Sequence, residues 1–294
     1  MDGRTELAIN EKDKKTSNIE INYSDLRMIE PIGEGHTSKV YTCKWQGKNL
    51  AVKIARDFKQ NDFLYNEIEI MQLLTSSKIP HIVNIHGYVL HECTYHILID
   101  YLPNRSLGDF IEKHKTPLDW TIRYKMIKQL VSAVDGLHQK QIIHRDIKAD
   151  NLFLDLDFNV KLGDFGYAIK IENKPSGNIA GTIGWVAPEK FSFDEEPDST
   201  QTDIFSLAMT MWEIVAWKYP FLSFNYEESI INWLVAGKRE TIPEDPEVFP
   251  IKFAKLIKWG WRRQPESRPS TKEILKELDS DVNHSSEKLL ALKL

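Results

Sequence analysis

Cysteine is nearly absent: the 294 residues hold two, Cys43 and Cys93, both in apolar, strand-like surroundings and neither in a CxxC pair. That pattern indicates neither a disulfide framework nor a zinc site, and it fits a reducing, cytoplasmic compartment. An excess of positive charge is lacking too. The formal net charge is -5 with the two signs mixed along the chain, which gives no footprint for nucleic acid and no polybasic patch for a membrane surface. The most apolar stretch, FSLAMTMWEIVAW from Phe205, is interrupted by Glu213 and is too short to span a bilayer, so a buried core helix is expected there. No charged-then-apolar signal pattern opens the chain, and no internal repeat or low-complexity tract is visible.

What is present is an ordinary globular composition. At 41% hydrophobic residues the chain can bury a sizeable core as one large or two moderate domains. Residues 1–22 are polar and charged and read as a flexible leader. From Leu26 to Leu102 short β-like runs dominate: MIEPIG, KVYTCKW, LAVKI, IVNIHGYV and YHILIDYL. One helix interrupts them in NDFLYNEIEIMQLL, where Phe63, Leu64, Ile68, Met71 and Leu74 recur at three- and four-residue spacing and Asn61 or Asp62 is placed to cap the start. Past Pro103 the patterns become long and helical: DWTIRYKMIKQLVSAVDGLHQK, TDIFSLAMTMWEIVAW and EVFPIKFAKLIKWGW, with a short strand pair at LFLD and VKLGD. The expected architecture is therefore α+β and bilobal. A small β-rich lobe over 23–102 precedes a larger helical lobe over 103–278, with a hinge at Pro103 to Ser106 and a cleft between them. Residues 279–294 form a tail, either frayed or a short amphipathic helix at EKLLALKL.

Several short stretches concentrate polar groups. IGEGHTSKVY from Ile32 places Gly33 and Gly35 in a hairpin whose backbone N–H groups can approach phosphates, although alone such a GxG is more often just a turn. AVK puts Lys53 on a strand, where by itself the pattern favours an outward-facing lysine. Glu67, among the core-facing residues of the following helix, needs a cation nearby and makes Lys53 its natural partner. At ~4 Å and an effective dielectric near 20 such a pair gains roughly 4 kcal/mol before desolvation, enough to position an ammonium without locking the helix, so the pair can act as a switch. GDFG sets Asp164 at a strand end with Phe165 as an apolar plug, which suits a hard-cation ligand as well as an Asp-containing turn. HRDIKADN then offers Asp146 as proton acceptor, Lys148 as neutraliser of phosphate charge and Asn151 as a second metal ligand.

In this order, GEGHTSKV, AVK, Glu67, HRDIKADN, DFG and the APE at 187–189 resemble the eukaryotic protein kinase family over residues 24–278. Asp203 resembles the buried aspartate that supports the catalytic loop, and Arg268 the partner of Glu189. The resemblance implies ATP and Mg²⁺ as cofactors and protein Ser/Thr hydroxyls as acceptors. Lys53, paired with Glu67, would hold the α- and β-phosphates, Asn151 and Asp164 would bind Mg²⁺, and Asp146 would act as catalytic base beside Lys148. The nucleotide would lie against Ile32, Gly33, Glu34 and Gly35. Its purine would sit between Val40, Ala51 and Phe153, behind a bulky gatekeeper, Ile99, and would bond the backbone at Asp100 and Leu102. Lys148, and Thr182 in AGTIGWVAPE, resemble the Ser/Thr-directed pattern, closest to the tyrosine-kinase-like and related groups. Dual specificity stays open.

Arg145 could pair with an activation-segment phosphate, with Ser176 in KPSGN as first acceptor. Two positions depart from the family: Ser38 stands at the third glycine of the loop, and Ala208 replaces a helix glycine. Rival readings are a kinase-like scaffold without chemistry, a small-molecule phosphotransferase of the same fold and a tyrosine kinase. The retained Lys53, Asp146 and Asp164, the APE segment and Lys148 respectively stand against them.

Overall fold

A computed structural model describes residues 19–35, 38–173, 179–192 and 197–280. The expected N-terminal runs form one antiparallel sheet of β1 (Arg27–Glu34), β2 (Ser38–Trp45), β3 (Lys48–Ala55), β4 (Ile85–His91) and β5 (Thr94–Asp100), in the order β1-β2-β3-β5-β4. Register sets the cleft wall. Val40 lies opposite Lys53 and Ala51 opposite Ile99, and alternation puts Ala51 and Lys53 on one face of β3. IVNIHGYV is only partly strand: its first residues instead join the lobes, through Val83 N–H to the Leu162 carbonyl at 2.8 Å. Residues 19–22, expected in the leader, are paired too: Ile21 N–H bonds Tyr88 O at 3.0 Å and Tyr88 N–H bonds Ile19 O at 3.1 Å.

Helix α1 (Asn61–Ser76) packs on β4 and β5 and buries Leu64, Ile68, Met71 and Leu74, as its spacing predicts. Phe63 differs: it stays on the exposed edge, ring to ring with Tyr167. The expected caps differ as well. Gln60 occupies the cap position, and the Asn61 side chain ties the helix to the β4–β5 turn by donating to Cys93 O (2.8 Å) and accepting from Tyr95 N (3.1 Å). Cys43 lies buried within β2, whereas Cys93 is exposed in that turn with φ 62, not in a strand.

The second lobe contains α2 (Leu107–Lys113), α3 (Trp120–Gln139), α4 (Thr200–Ala216), α5 (Glu227–Val235), α6 (Ile251–Gly260) and α7 (Thr271–Asp279). The expected pair at LFLD and VKLGD forms as β7 (Leu152–Leu154) with β8 (Val160–Leu162); β6 (Ile142–Ile143) also pairs with β9 (Ile169–Lys170). The helix in EVFPIKFAKLIKWGW begins only at Ile251, after Pro250 in extended conformation. Among the described residues no helix is long and apolar enough to cross a membrane.

Helix α4 is buried along nearly its whole length, so each of its polar side chains must find a partner. Ser206 bonds Trp185 O at 2.7 Å and Thr210 bonds Ile147 O at 3.1 Å. Glu213 accepts from Trp185 Nε1 at 2.8 Å and from Ala149 N at 3.1 Å. These bonds suspend two separate loops from one rigid helix. Ala208, at the departure from the family pattern, is accommodated by the facing helix: a Cβ on Gly260 of α6 would come within 2.7 Å of the Ala208 Cβ.

Gly260→Ala is therefore expected to overpack the α4–α6 contact and cost about 1–3 kcal/mol in urea melts; an unchanged midpoint would contradict so close an approach. Burial pushes the Glu213 carboxyl up to about 8, against the Trp185 and Ala149 N–H groups that favour its charged form. Raised above its ordinary 4.5, the group binds more protons folded than unfolded, so stability falls as pH rises through that interval. Glu213→Gln keeps an acceptor for both N–H groups and should flatten the decline of Tm between pH 5 and 8. A decline as steep as the wild type's would show that Glu213 does not titrate there.

Candidate active site

A cavity of about 550 Å³ opens between the sheet and the helical lobe. Every nucleotide-, metal- and acceptor-site residue expected from sequence lines it; Arg145 does not, and Ser176 lies outside the described residues. Val40 and Ala51 form its roof, Phe153 its floor and Ile99, Asp100 and Leu102 its inner edge. A Cβ added at Gly33 or Gly35 would meet no protein atom closer than 3.8 Å, so the chain's own packing does not demand glycine there; the bare backbone leaves a cradle for a phosphate-bearing ligand. Ser38 begins β2, buried, and its carbonyl accepts Gly35 N–H at 2.8 Å. Arg56, not foreseen from sequence, braces this loop with Nε 2.8 Å from Gly35 O and Nη2 2.8 Å from Glu34. The Asp100 carboxylate turns to His86 (2.8 Å), Asn84 (3.0 Å) and Lys161 (2.8 Å), which fixes the hinge strand.

Lys53 sits at the centre, 7% exposed, with Nζ 2.7 Å from Glu67 Oε2 and 2.7 Å from Asp164 Oδ1. Burial alone would lower its ammonium, but the Asp164 and Glu67 carboxylates outweigh that and hold it above the ordinary lysine range. Burial would likewise raise the Asp164 carboxyl, yet Lys53 draws it below the usual range. Phe165 is buried against the His144 ring, as an apolar plug behind Asp164. Asn66 on α1 adds a link that sequence did not reveal: its amide donates to Gly166 O (3.2 Å) and Ala168 O (2.9 Å).

The segment HRDIKADN is organised from below by Asp203 of α4. Its carboxylate is fully buried and accepts His144 N–H and Arg145 N–H, both at 2.9 Å, which secures Arg145 in the left-handed region at φ 71. The His144 Nδ1 accepts Asp146 N–H at 3.3 Å while its Nε2 donates to Gly163 O at 3.2 Å, a neutral ring, in keeping with burial lowering its pKa. Asp146 is thus presented to the cavity with both carboxylate oxygens engaged. Thr182 Oγ1 donates to Oδ1 at 2.8 Å, and Asn151 Nδ2 donates to Oδ2 at 2.9 Å and to the Asp146 carbonyl at 2.7 Å. Lys148 Nζ reaches Thr182 Oγ1 at 2.6 Å and Asp146 Oδ2 at 3.4 Å. Thr182 is brought this close by Gly181 at φ 100, where any Cβ would lie 2.3 Å from the Arg145 carbonyl.

The donor set fits a hard divalent cation. Asn151 uses its amide nitrogen on Asp146, which leaves its amide oxygen, and Asp164 is an ionised carboxylate with a 40% exposed side chain. Two hard oxygen donors of this kind are what a cation that also binds phosphate oxygens requires. Arg145, the expected partner of a segment phosphate, has its Nε 3.0 Å from Asp198 Oδ2, and Lys190 Nζ lies 3.3 Å from Asp198 Oδ1. Glu189 and Arg268 meet in two parallel bonds of 2.7 Å, pinning the end of the same segment to the lower lobe.

Comparison with known proteins agrees with this geometry. Residues 26–278 match the family model described as "Protein kinase domain". A candidate serine/threonine-protein kinase/receptor of Acanthamoeba polyphaga mimivirus is 34% identical over 87% of this chain and 15% of its own length. A candidate serine/threonine-protein kinase of Dictyostelium discoideum is 31% identical over 86% of this chain and 19% of its own. Mitogen-activated protein kinase kinase kinase 12 of Rattus norvegicus is 29% identical over 88% of this chain and 28% of its own. The chain thus spans less than a third of the length of these relatives. By its matched span and its site, the chain belongs to the protein kinase family.

Proposed function

We propose that the chain is a protein serine/threonine kinase that transfers the γ-phosphoryl group of ATP to a Ser or Thr hydroxyl of a protein substrate, with Mg²⁺, in the cytoplasm. The observation that carries this reading is the convergence of Lys53, Asp164 and Asp146 on one cavity, with Lys53 ion-paired to Glu67 from the far side. Lys53 binds the α- and β-phosphates as a point charge. Asn151 and Asp164 would hold the metal, which when bound would offset phosphate charge. Ile32, Glu34, Val40, Ala51 and Phe153 enclose the nucleotide, and the backbone at Asp100 and Leu102 reads the adenine edge beside Ile99. Asp146 orients the acceptor hydroxyl and takes its proton as the new O–P bond forms and the bond from the γ-phosphorus to the β–γ bridging oxygen breaks; ADP leaves. Lys148 stands beside the transferred group. Its bond to Thr182 shapes the acceptor position for a short aliphatic hydroxyl, and the names of the relatives above point the same way.

Incubation with Mg-ATP and a generic protein substrate should give phosphoserine or phosphothreonine. Asp146→Asn, folded by circular dichroism, should lower kcat by about 10²–10⁴. Phosphotyrosine as sole product, or equal turnover by the variant, would overturn the assignment.

The Asp198 carboxylate also bears on activation. Both Arg145 and Asp198 are over nine-tenths buried at their side chains, so the fold itself supplies an anion where a phosphate on Ser176 would otherwise be needed. A phosphate at Ser176 would add to this pairing, not create it. Phosphatase-treated protein should accordingly retain most of its activity, while Asp198→Asn should lose at least tenfold in kcat. Loss of activity on phosphatase treatment alone would refute a built-in anion.

A further inference from the structure

A second cavity, of about 390 Å³, lies in the helical lobe and shares no lining residue with the nucleotide cleft. It is enclosed by the start of α3, the end of α4 and the segment between α5 and α6. Its lining is apolar for the greater part and includes Pro117, Trp120, Val215 and Pro243. One lining residue does not belong in such a wall. Arg123 is 7% exposed, and among the described residues its guanidinium forms no ion pair. Nη1 donates to the Val215 carbonyl at 3.0 Å and the guanidinium carbon lies 3.4 Å from the Trp120 ring centroid, but Nε is buried with no hydrogen-bond partner.

A buried cation without a carboxylate is costly, and an orphaned buried donor calls for a physical reason. Burial draws the Arg123 guanidinium down to about 10, with Asp119 opposing; Asp119 Oδ1 is itself engaged by Thr121 N–H at 2.8 Å as the cap of α3. With Nη1 occupied and Nε sealed from solvent, Nη2 is the guanidinium donor left for a ligand, and a carboxylate is the acceptor that would also balance the charge. Lys218, exposed at the mouth with Nζ 5.2 Å above the Trp212 ring, adds a second positive charge, while Glu247 is the one acidic side chain in the lining. The volume is that of a small-molecule site.

We propose that this cavity binds a small organic acid, its apolar body against the wall of Pro117, Trp120 and Pro243 and its carboxylate on Nη2 of Arg123. Nothing in this assignment depends on the phosphoryl-transfer reading of the other cleft.

The test uses 2-naphthoate as probe, with 2-naphthalenemethanol as its neutral counterpart, on the full chain with the nucleotide cleft saturated by ADP and Mg²⁺. Binding is read from the Trp120 indole N–H resonance. The acid should shift that resonance and bind at least tenfold more tightly than the alcohol. Arg123→Met should reduce the acid to the affinity of the alcohol, Lys218→Gln should weaken it a few-fold, and Glu247→Gln should strengthen it. If Arg123→Met proves unfolded, the opposite signs at Lys218 and Glu247, both exposed, carry the charge test. Equal affinity for acid and alcohol, an unmoved Trp120 resonance, or acid binding indifferent to these charges would sink the proposal.

Discussion

Three segments far apart in sequence are held to one point by the Lys53 ammonium. It draws Glu67 from the helix of the upper lobe and Asp164 from the loop below the cleft, each to 2.7 Å. A lysine in so buried a position is tolerable only because two carboxylates face it, and a glutamate as buried as Glu67 only because the ammonium does. The requirement is mutual, so the position of α1, the sheet and the Asp164 loop become a single variable. Around Lys53, Glu67 and Asp164 the charge is unbalanced: two carboxylates face one ammonium. Burial pushes the Glu67 carboxyl up while Lys53 holds the Asp164 carboxyl down, so Asp164 is the carboxylate of this pair that suits a divalent cation.

The lower half of the site depends on a different device. Helix α4 is too buried to serve any polar side chain with water, so Asp203, Ser206, Thr210 and Glu213 must each take a partner from a loop. That necessity organises both the HRDIKADN segment and the segment bearing Trp185 around one helix. It also explains why Arg145 can be held in a left-handed conformation that its side chain disfavours: two backbone N–H groups directed at one buried carboxylate outweigh a strain of about 1–3 kcal/mol.

How much of this was legible in the sequence depended on whether the signal was local. Strand runs, the long helices and the charged residues of the cleft were all readable, since alternation, helical spacing and short polar motifs are properties of a few consecutive residues. Glu213 was visible as the one break in an apolar run, although its two partners were not. Asn61 looked like a cap because its neighbours fit one, yet the β4–β5 turn, distant in sequence, claimed its side chain. Arg56, Asn66 and Asp198 gave no local signal, because their significance lies in what folding places beside them. Cys93 was misplaced for the same reason: an apolar context in sequence became an exposed turn once Asn61 bound its carbonyl.

Among the buried cations of this chain, the number of carboxylates each faces distinguishes the part each can play. Arg268 meets Glu189 in a two-bond fork and also donates to the Gln201 carbonyl; with its charge balanced and its donors occupied, it can only fix the fold. Arg145 and Lys190 meet on Asp198, so one buried carboxylate ties the HRDIKADN segment to the end of the APE segment. Lys53 faces two carboxylates and can release one to a metal without being stranded. Arg123 forms no ion pair among the described residues, and the nearby Asp119 offsets its burial only in part. Desolvation costs each of these groups several kcal/mol, so an incomplete balance is tolerated only where the rest of the fold outweighs it or a ligand completes it. Arg268 is where the molecule is finished; Lys53 and Arg123 are where it awaits another molecule.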